Sequence, residues 1–163
     1  MVKGTYANKT GRALEKRVAN LLDSYGFKTI NEREYNKHPE KHGSEVLLTN
    51  VKYTNIYGQP GKSEFMLCSQ KYNMKLRIEC KWQQSSGSVD EKFPYLLLNC
   101  VEAMPEKEVI IIVDGGGARK GAVAWLKNNA ETVKNKNIKV INFEEFKDWA
   151  RYAFREDNVE NII

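Results

Sequence analysis

A chain of 163 residues is long enough for one domain with a sizeable core. Its 41% hydrophobic and 29% charged residues suit a globular protein, and no apolar run approaches the ~20 residues of a membrane span. A net charge of +5 and a pI of about 9.0 leave an anionic partner open, nucleic acid among them.

The opening residues, Met1 to Tyr6, run into a polar helix and not an apolar leader. Cys68, Cys80 and Cys100 are odd in number, lie in apolar-rich segments and lack CxxC spacing. They read as reduced, buried thiols of a cytoplasmic protein rather than a zinc site or disulfide framework.

The first predicted element is a helix from about Lys9 to Tyr25, with Leu14, Val18, Leu21, Leu22 and Tyr25 as its apolar stripe. Asn8 or Thr10 is the expected cap, and Gly26 the stop. Glu15 falls on the margin of the stripe, near Ala19 and Leu22, while Arg12, Lys16 and Asp23 turn toward solvent. Lys28 to Tyr35 reads as extended and Asn36 to Gly43 as a loop. His38 and His42 lie in that loop with Pro39 between them, so a solvated or DNA-facing loop is expected there and not a zinc site.

Three strands then form a meander: Glu45 to Ile56, Ser63 to Ser69 and Met74 to Gln83. Turns at Tyr57–Lys62 and Gln70–Asn73 separate them. Residues two apart on a strand share a face, so Glu79, Lys81 and Gln83 lie opposite Ile78, Cys80 and Trp82. A carboxylate, an ammonium and an amide in a row beside an apolar face are costly without a purpose.

Gln84 to Gly87 reads as a loop, and Ser88-Val89-Asp90-Glu91 has the Ser-x-x-Glu pattern of a capping box. A helix should follow to about Met104, interrupted early by Pro94. Val109–Val113 is a β-branched run, hence a strand buried on both faces. Gly115 to Gly121 is a loop that lacks both the phosphate-loop and the dinucleotide glycine patterns. The helix after it carries Val123, Trp125 and Leu126. A strand over Ile138–Ile141 and a helix over Glu144–Arg155 complete the chain, the helix with Phe146, Trp149, Tyr152 and Ala153 inward. Trp82, Trp125 and Trp149 are read as core residues. The expected class is α/β, a central mixed sheet flanked by helices in the order α-β-β-β-α-β-α-β-α.

Phosphodiester hydrolysis needs an activated water and stabilised charge, which one or two Mg²⁺ ions on a few carboxylates can provide beside a lysine. Glu79 and Lys81 supply a carboxylate and a lysine on one face, and Glu64 on the preceding strand is the candidate second acid. With the N-terminal helix and its Glu15, the meander, and Glu64 followed 15 residues later by Glu79-Cys80-Lys81, the chain resembles the PD-(D/E)xK nuclease superfamily from about Leu14 to Ile141. Type II restriction endonucleases and Holliday-junction resolvases belong to it.

The resemblance implies a restriction-endonuclease-like fold in a single domain spanning residues 1–163. It implies that Glu64 and Glu79 bind Mg²⁺, with Mn²⁺ as a possible substitute, and that the Cys80 carbonyl and Glu15 join them. Lys81 would orient or activate the water, and Gln83 would touch metal-bound water or phosphate. The family usually has Asp, often after Pro, where this chain has Lys62-Ser63-Glu64.

Ser88 and Lys92, near a helix N-terminus after the active-site strand, are candidate DNA-phosphate contacts. They lie in a run that looks like the Gly-Ser/Thr…Glu-Lys segment of some members. Arg119 and Lys120, at the C-terminal end of a buried strand, are candidates too. The implied protein is a Mg²⁺-dependent deoxyribonuclease acting on DNA, cytoplasmic and homodimeric. Alternatives are a branched-DNA resolvase and a non-catalytic DNA-binding protein of the same fold.

Overall fold

The computed structural model of the chain describes residues 2–85 and 87–158, with side chains from residue 10 onward. Met1, Ser86 and the last five residues lie outside it. Leu14, Val18 and Leu22, spaced by four residues, bury one side of α1 (Val2–Ser24). The helix starts earlier than expected, so Asn8 and Thr10 fall inside it and neither caps it. Its end is the expected one: Gly26 takes a φ of +94°, and the Gly26 and Phe27 N–H groups return to the last turn.

The sheet has six strands in sequence order: β1 (Lys28–Asn31), β2 (Glu45–Thr54), β3 (Pro60–Ser69), β4 (Met74–Trp82), β5 (Glu108–Asp114) and β6 (Asn137–Ile141). β2, β3 and β4 are antiparallel neighbours; β1 joins β2, β5 joins β4 and β6 joins β5 in parallel. The mixed sheet with flanking helices is the expected architecture, with β1 added at one edge. The extended reading of residues 28–35 holds only to Asn31. There the Asn31 side chain accepts the Arg33 N–H at 2.9 Å and starts the short helix α2 (Glu32–Tyr35).

Helices cover both faces. Leu76, Ile78 and Cys80 of β4, with Ile110 and Ile112 of β5, pack in one cluster with α1 and with Phe146 and Ala150 of α5 (Phe143–Ala153). Val109 and Ile111 join Phe93, Leu96 and Leu97 of α3 (Phe93–Leu98) and Leu126 and Ala130 of α4 (Lys120–Glu131). β5 is thus buried on both faces, as its β-branched run implied. Each such apolar side chain contributes about 1.5–3 kcal/mol.

Several local expectations fail. Ser88 caps nothing: a 3₁₀ turn over Asp90–Lys92 leads into α3, and Pro94 sits in its first turn, where its missing N–H costs nothing and causes no kink. A wide helical turn over Asn99–Ala103 continues α3, closed by Lys136, whose Nζ donates to the Cys100 carbonyl at 2.7 Å and to that of Met104. Tyr152 and Trp125 are exposed rather than inward. Their helices bury Phe146 and Ala150, and Leu126 and Ala130, instead. Gly121 belongs to α4, not to the loop before it.

Candidate active site

β2 and β3 share the longest ladder of the sheet, and it is interrupted at one place. Thr49 pairs with Phe65 and Val51 with Ser63, but the Asn50–Glu64 pair between them is missing. Asn50 has a φ of +53°, a left-handed conformation that asparagine tolerates better than most residues. Val46, Leu48 and Val51 consequently share one cluster, although strict alternation would turn Val51 away. Glu64 sits at this break, where the β3–β4 ladder also ends, at Phe65–Ile78.

From this break the Glu64 side chain reaches across to β4. Its Oε2 accepts the Cys80 N–H at 2.9 Å, and its Oε1 lies 3.5 Å from Lys81 Nζ. Lys81 Nζ also donates to Glu79 Oε2 at 3.0 Å. Glu79 is 2% exposed, and its other oxygen, Oε1, has no hydrogen-bond partner among the described residues. Glu79 and Lys81 pair in register with Ile111 and Val113, so they project on the α3–α4 side of the sheet. Two acids and the lysine predicted from spacing therefore meet.

Their electrostatics are those of a crowded anionic pocket. Burial, then repulsion from Glu79, pushes the Glu64 carboxyl up to about 7. The two acids in turn hold the Lys81 ammonium above its ordinary value despite its desolvation, so it is protonated at neutral pH. Burial raises the Glu15 carboxyl as well, offset in part by Lys81 and Arg12, which places Glu15 within the field of the same lysine. Burial and the neighbouring Glu79 push the Tyr53 phenol up to about 12. Tyr53 was not anticipated as a neighbour of the site; nothing in the strand pattern distinguishes it from other half-buried tyrosines.

The pH dependence follows from Glu64. Above its ordinary value of 4.5 the unfolded chain gives up this proton, whereas the folded protein keeps it to about 7. Folded protein thus binds more protons in that window, and stability should fall as pH rises through it, by at most about 1.4 kcal/mol per pH unit. Melts of the metal-free protein from pH 4.5 to 7.5, compared with Glu64→Gln, check this. The variant should lose that component of the slope.

A divalent cation fits this donor set. Glu79 Oε1 is a buried acceptor without a donor among the described residues, and the two facing acids, once both are ionised, carry one more charge than Lys81 neutralises. Among the described residues, no three His, Cys, Asp or Glu side chains gather at metal-binding spacing, so Glu15 does not complete a preformed cage. Mg²⁺ commonly takes one or two carboxylates and fills its shell with water and phosphate oxygens.

The remaining candidates spread around this centre. Lys92, exposed, lines with Lys81, Trp82, Val89 and Phe93 a cleft of about 200 Å³. Ser88 is exposed on the loop before it. Arg119 is drawn to Asp90, with Nε 3.5 Å from Oδ2, and Lys120 begins α4. Gln83 lies one residue past the end of β4. Its amide is occupied, with Oε1 accepting the Asp90 N–H at 3.1 Å and Nε2 donating to the Gly117 carbonyl at 3.3 Å. It ties the loop after β4 to the glycine loop rather than pointing along the Glu79–Lys81 row.

That contact also accounts for the glycines. A Cβ on Gly115 would lie 2.4 Å from the Gln83 carbonyl oxygen, and one on Gly117 would lie 2.3 Å from backbone atoms of Gln84 and Ser85. The glycine loop is therefore a close backbone packing against the segment that leaves the active-site strand. The two histidines are apart: His42 Nδ1 is 3.2 Å from Lys28 Nζ, and His38 faces Glu40.

The break at Asn50 is itself testable. Asn50→Val should cost about 1–2 kcal/mol in the left-handed conformation and displace Glu64, whereas Asn50→Gly should keep both stability and site. Denaturant melts with a divalent-metal titration of each variant would show the difference.

No curated protein and no solved structure matches this chain. A family model of the PD-(D/E)XK nuclease superfamily domain matches residues 6–154, from the helix that bears Glu15 through the end of α5. The break at Glu64, the Glu79–Lys81 pair and the mixed sheet fall within that span, and the chain belongs to the PD-(D/E)XK nuclease superfamily.

Proposed function

We propose that this chain, as one domain, is a Mg²⁺-dependent deoxyribonuclease that cuts DNA internally, with Mn²⁺ able to substitute. The observation that carries this reading is the joining of Glu64, Glu79 and Lys81 through 3.5 Å and 3.0 Å contacts, with one acidic oxygen left unpartnered. Glu64 and Glu79, with the Cys80 carbonyl, would hold the ion, and Glu15 would act through water. Bound there, it would supply charge stabilisation at the phosphate and a lowered pKa for water.

The chain's own residues do the rest. Lys81, protonated and fixed between two acids, donates to the attacking water or a phosphate oxygen and offsets charge developing in the transition state. Lys92 lines the cleft, and it and Ser88 of the preceding loop would hold the DNA backbone, with Lys120 and Arg119 further along. Gln83 positions the loops that carry them. A cytoplasmic homodimer would present two such sites to a duplex.

Purified protein is to be incubated with plasmid, linear and four-way-junction DNA in Mg²⁺, Mn²⁺ or EDTA. Nicking or linearisation of plasmid that requires the metal is the expected result. No cleavage in any metal, or cleavage that persists in EDTA, overturns the reading.

A further inference from the structure

β2 and β3 continue as a pair after β3 has left β4. The β3–β4 ladder runs from Ser69–Met74 to Phe65–Ile78, whereas β2 and β3 stay paired out to Thr54–Pro60. Residues 51–63 thus form a two-stranded arm with Glu64 at its root.

The tip of this arm is fixed. The Asn55 side chain accepts the N–H groups of Tyr57 and Gln59, both at 3.0 Å, and the Gly58 N–H donates to the Asn55 carbonyl at 2.8 Å. The Ile56 N–H donates at 3.0 Å to the side chain of Asn99, which is itself buried at the C-terminal end of α3. Tyr57 is nevertheless 72% exposed. One face of its ring stacks on Tyr95 of α3, with centroids 5.5 Å apart and planes 19° apart, and the other faces solvent. Tyr95 lies one helical turn beyond Lys92, which lines the Lys81 cleft.

A rigid, exposed aromatic stack is what an unpaired nucleobase needs, because every base offers a π face. The arm also carries an unusual charge arrangement. Lys52 and Lys62 are direct cross-strand partners and both are exposed. Like charges at such positions oppose pairing. The Glu32 carboxylate accepts the Lys52 backbone N–H at 3.0 Å, and a polyanion would relieve the repulsion between the two ammonium groups.

We propose that this arm docks DNA carrying unpaired bases, with Tyr57 stacking on a base while Lys52 and Lys62 contact phosphates. The chain would thereby favour single-stranded, flapped or frayed DNA over intact duplex. The inference rests on the DNA-cleaving reading above and names the substrate class of that site.

The test is fluorescence anisotropy in EDTA with a labelled single-stranded oligonucleotide of mixed sequence and with the same strand in duplex. Tyr57→Ala should weaken single-strand binding by about tenfold or more and duplex binding by less than about twofold. Tyr57→Phe should behave as the original protein. Replacing Lys52 and Lys62 together by serine should flatten the single-strand salt dependence, by up to about 1.4 in log–log slope. Thermal melts identify any variant that fails to fold, and Tyr57→Leu, which removes the π face but keeps apolar bulk, then takes the place of Tyr57→Ala. Equal losses for both DNA forms, or no loss for either, overturn the arm. Selective binding loss without cleavage in any metal would sustain the arm and defeat only the nuclease reading. Cleavage whose single-strand preference survives Tyr57→Ala would defeat only the arm.

Discussion

Lys81→Ala and Glu79→Gln are each expected to lower metal-dependent DNA cleavage by about 10²–10⁴-fold, the range for losing a positioned catalytic group. Their effects on stability should differ in sign. Lys81 is the cation between Glu64 and Glu79, so removing it leaves a buried and a half-buried acid facing each other and should lower the melting temperature. Glu79→Gln keeps the shape, removes the charge that repels Glu64 and should leave stability unchanged or raised. Plasmid-nicking rates with parallel melts separate these effects. Cleavage that persists in both variants would place the chemistry elsewhere on the chain.

The largest expected loss of stability lies next to the site. Arg77 is 1% exposed, and its guanidinium grips Glu106 at 2.6 Å and 3.0 Å. Its Nη1 also donates to Ser63 Oγ at 2.9 Å and to the Val51 carbonyl at 3.4 Å. Those last two contacts hold β2 and β3 where they part from β4, one residue from Glu64. Glu106→Ala or Arg77→Ala strands one buried charge and should cost about 3–5 kcal/mol. For a chain of this size that lowers the melting temperature by roughly 6–20 °C. The double replacement Arg77→Met with Glu106→Leu should recover most of the loss, because no charge is then left unpaired. Calorimetric or denaturant melts of the three variants decide it; single replacements costing under about 1 kcal/mol would show the pair to be well solvated.

The Arg77–Glu106 pair shows why part of this protein was hidden in its sequence. Arg77 reads as one more polar residue on β4, and its partner lies 29 positions away in the connection before β5. No periodicity links them. The lost capping box has a related cause. Ser-x-x-Glu fits the local rule, yet the Asp90 N–H is claimed by Gln83 and its carboxylate by Arg119, both brought in by the packing of the glycine loop. Gln83 reads as the last residue of β4, but it lies one residue past the strand, and the direction of its amide depends on that loop.

What the sequence alone determined is the part governed by neighbours along the chain. Period-two alternation put Glu79 and Lys81 on one face, the β-branched run marked β5 as buried on both faces, and helical spacing set the buried stripe of α1. Glu64 could be named from its distance to the Glu-x-Lys stretch, but only the tertiary structure decided how it reaches Lys81. A left-handed Asn50 breaks the β2–β3 ladder opposite it, and the β3–β4 ladder ends short of Cys80, whose N–H the Glu64 carboxylate accepts. Local patterns say which face a side chain takes. Which groups meet across strands is decided by pairing and by where pairing fails.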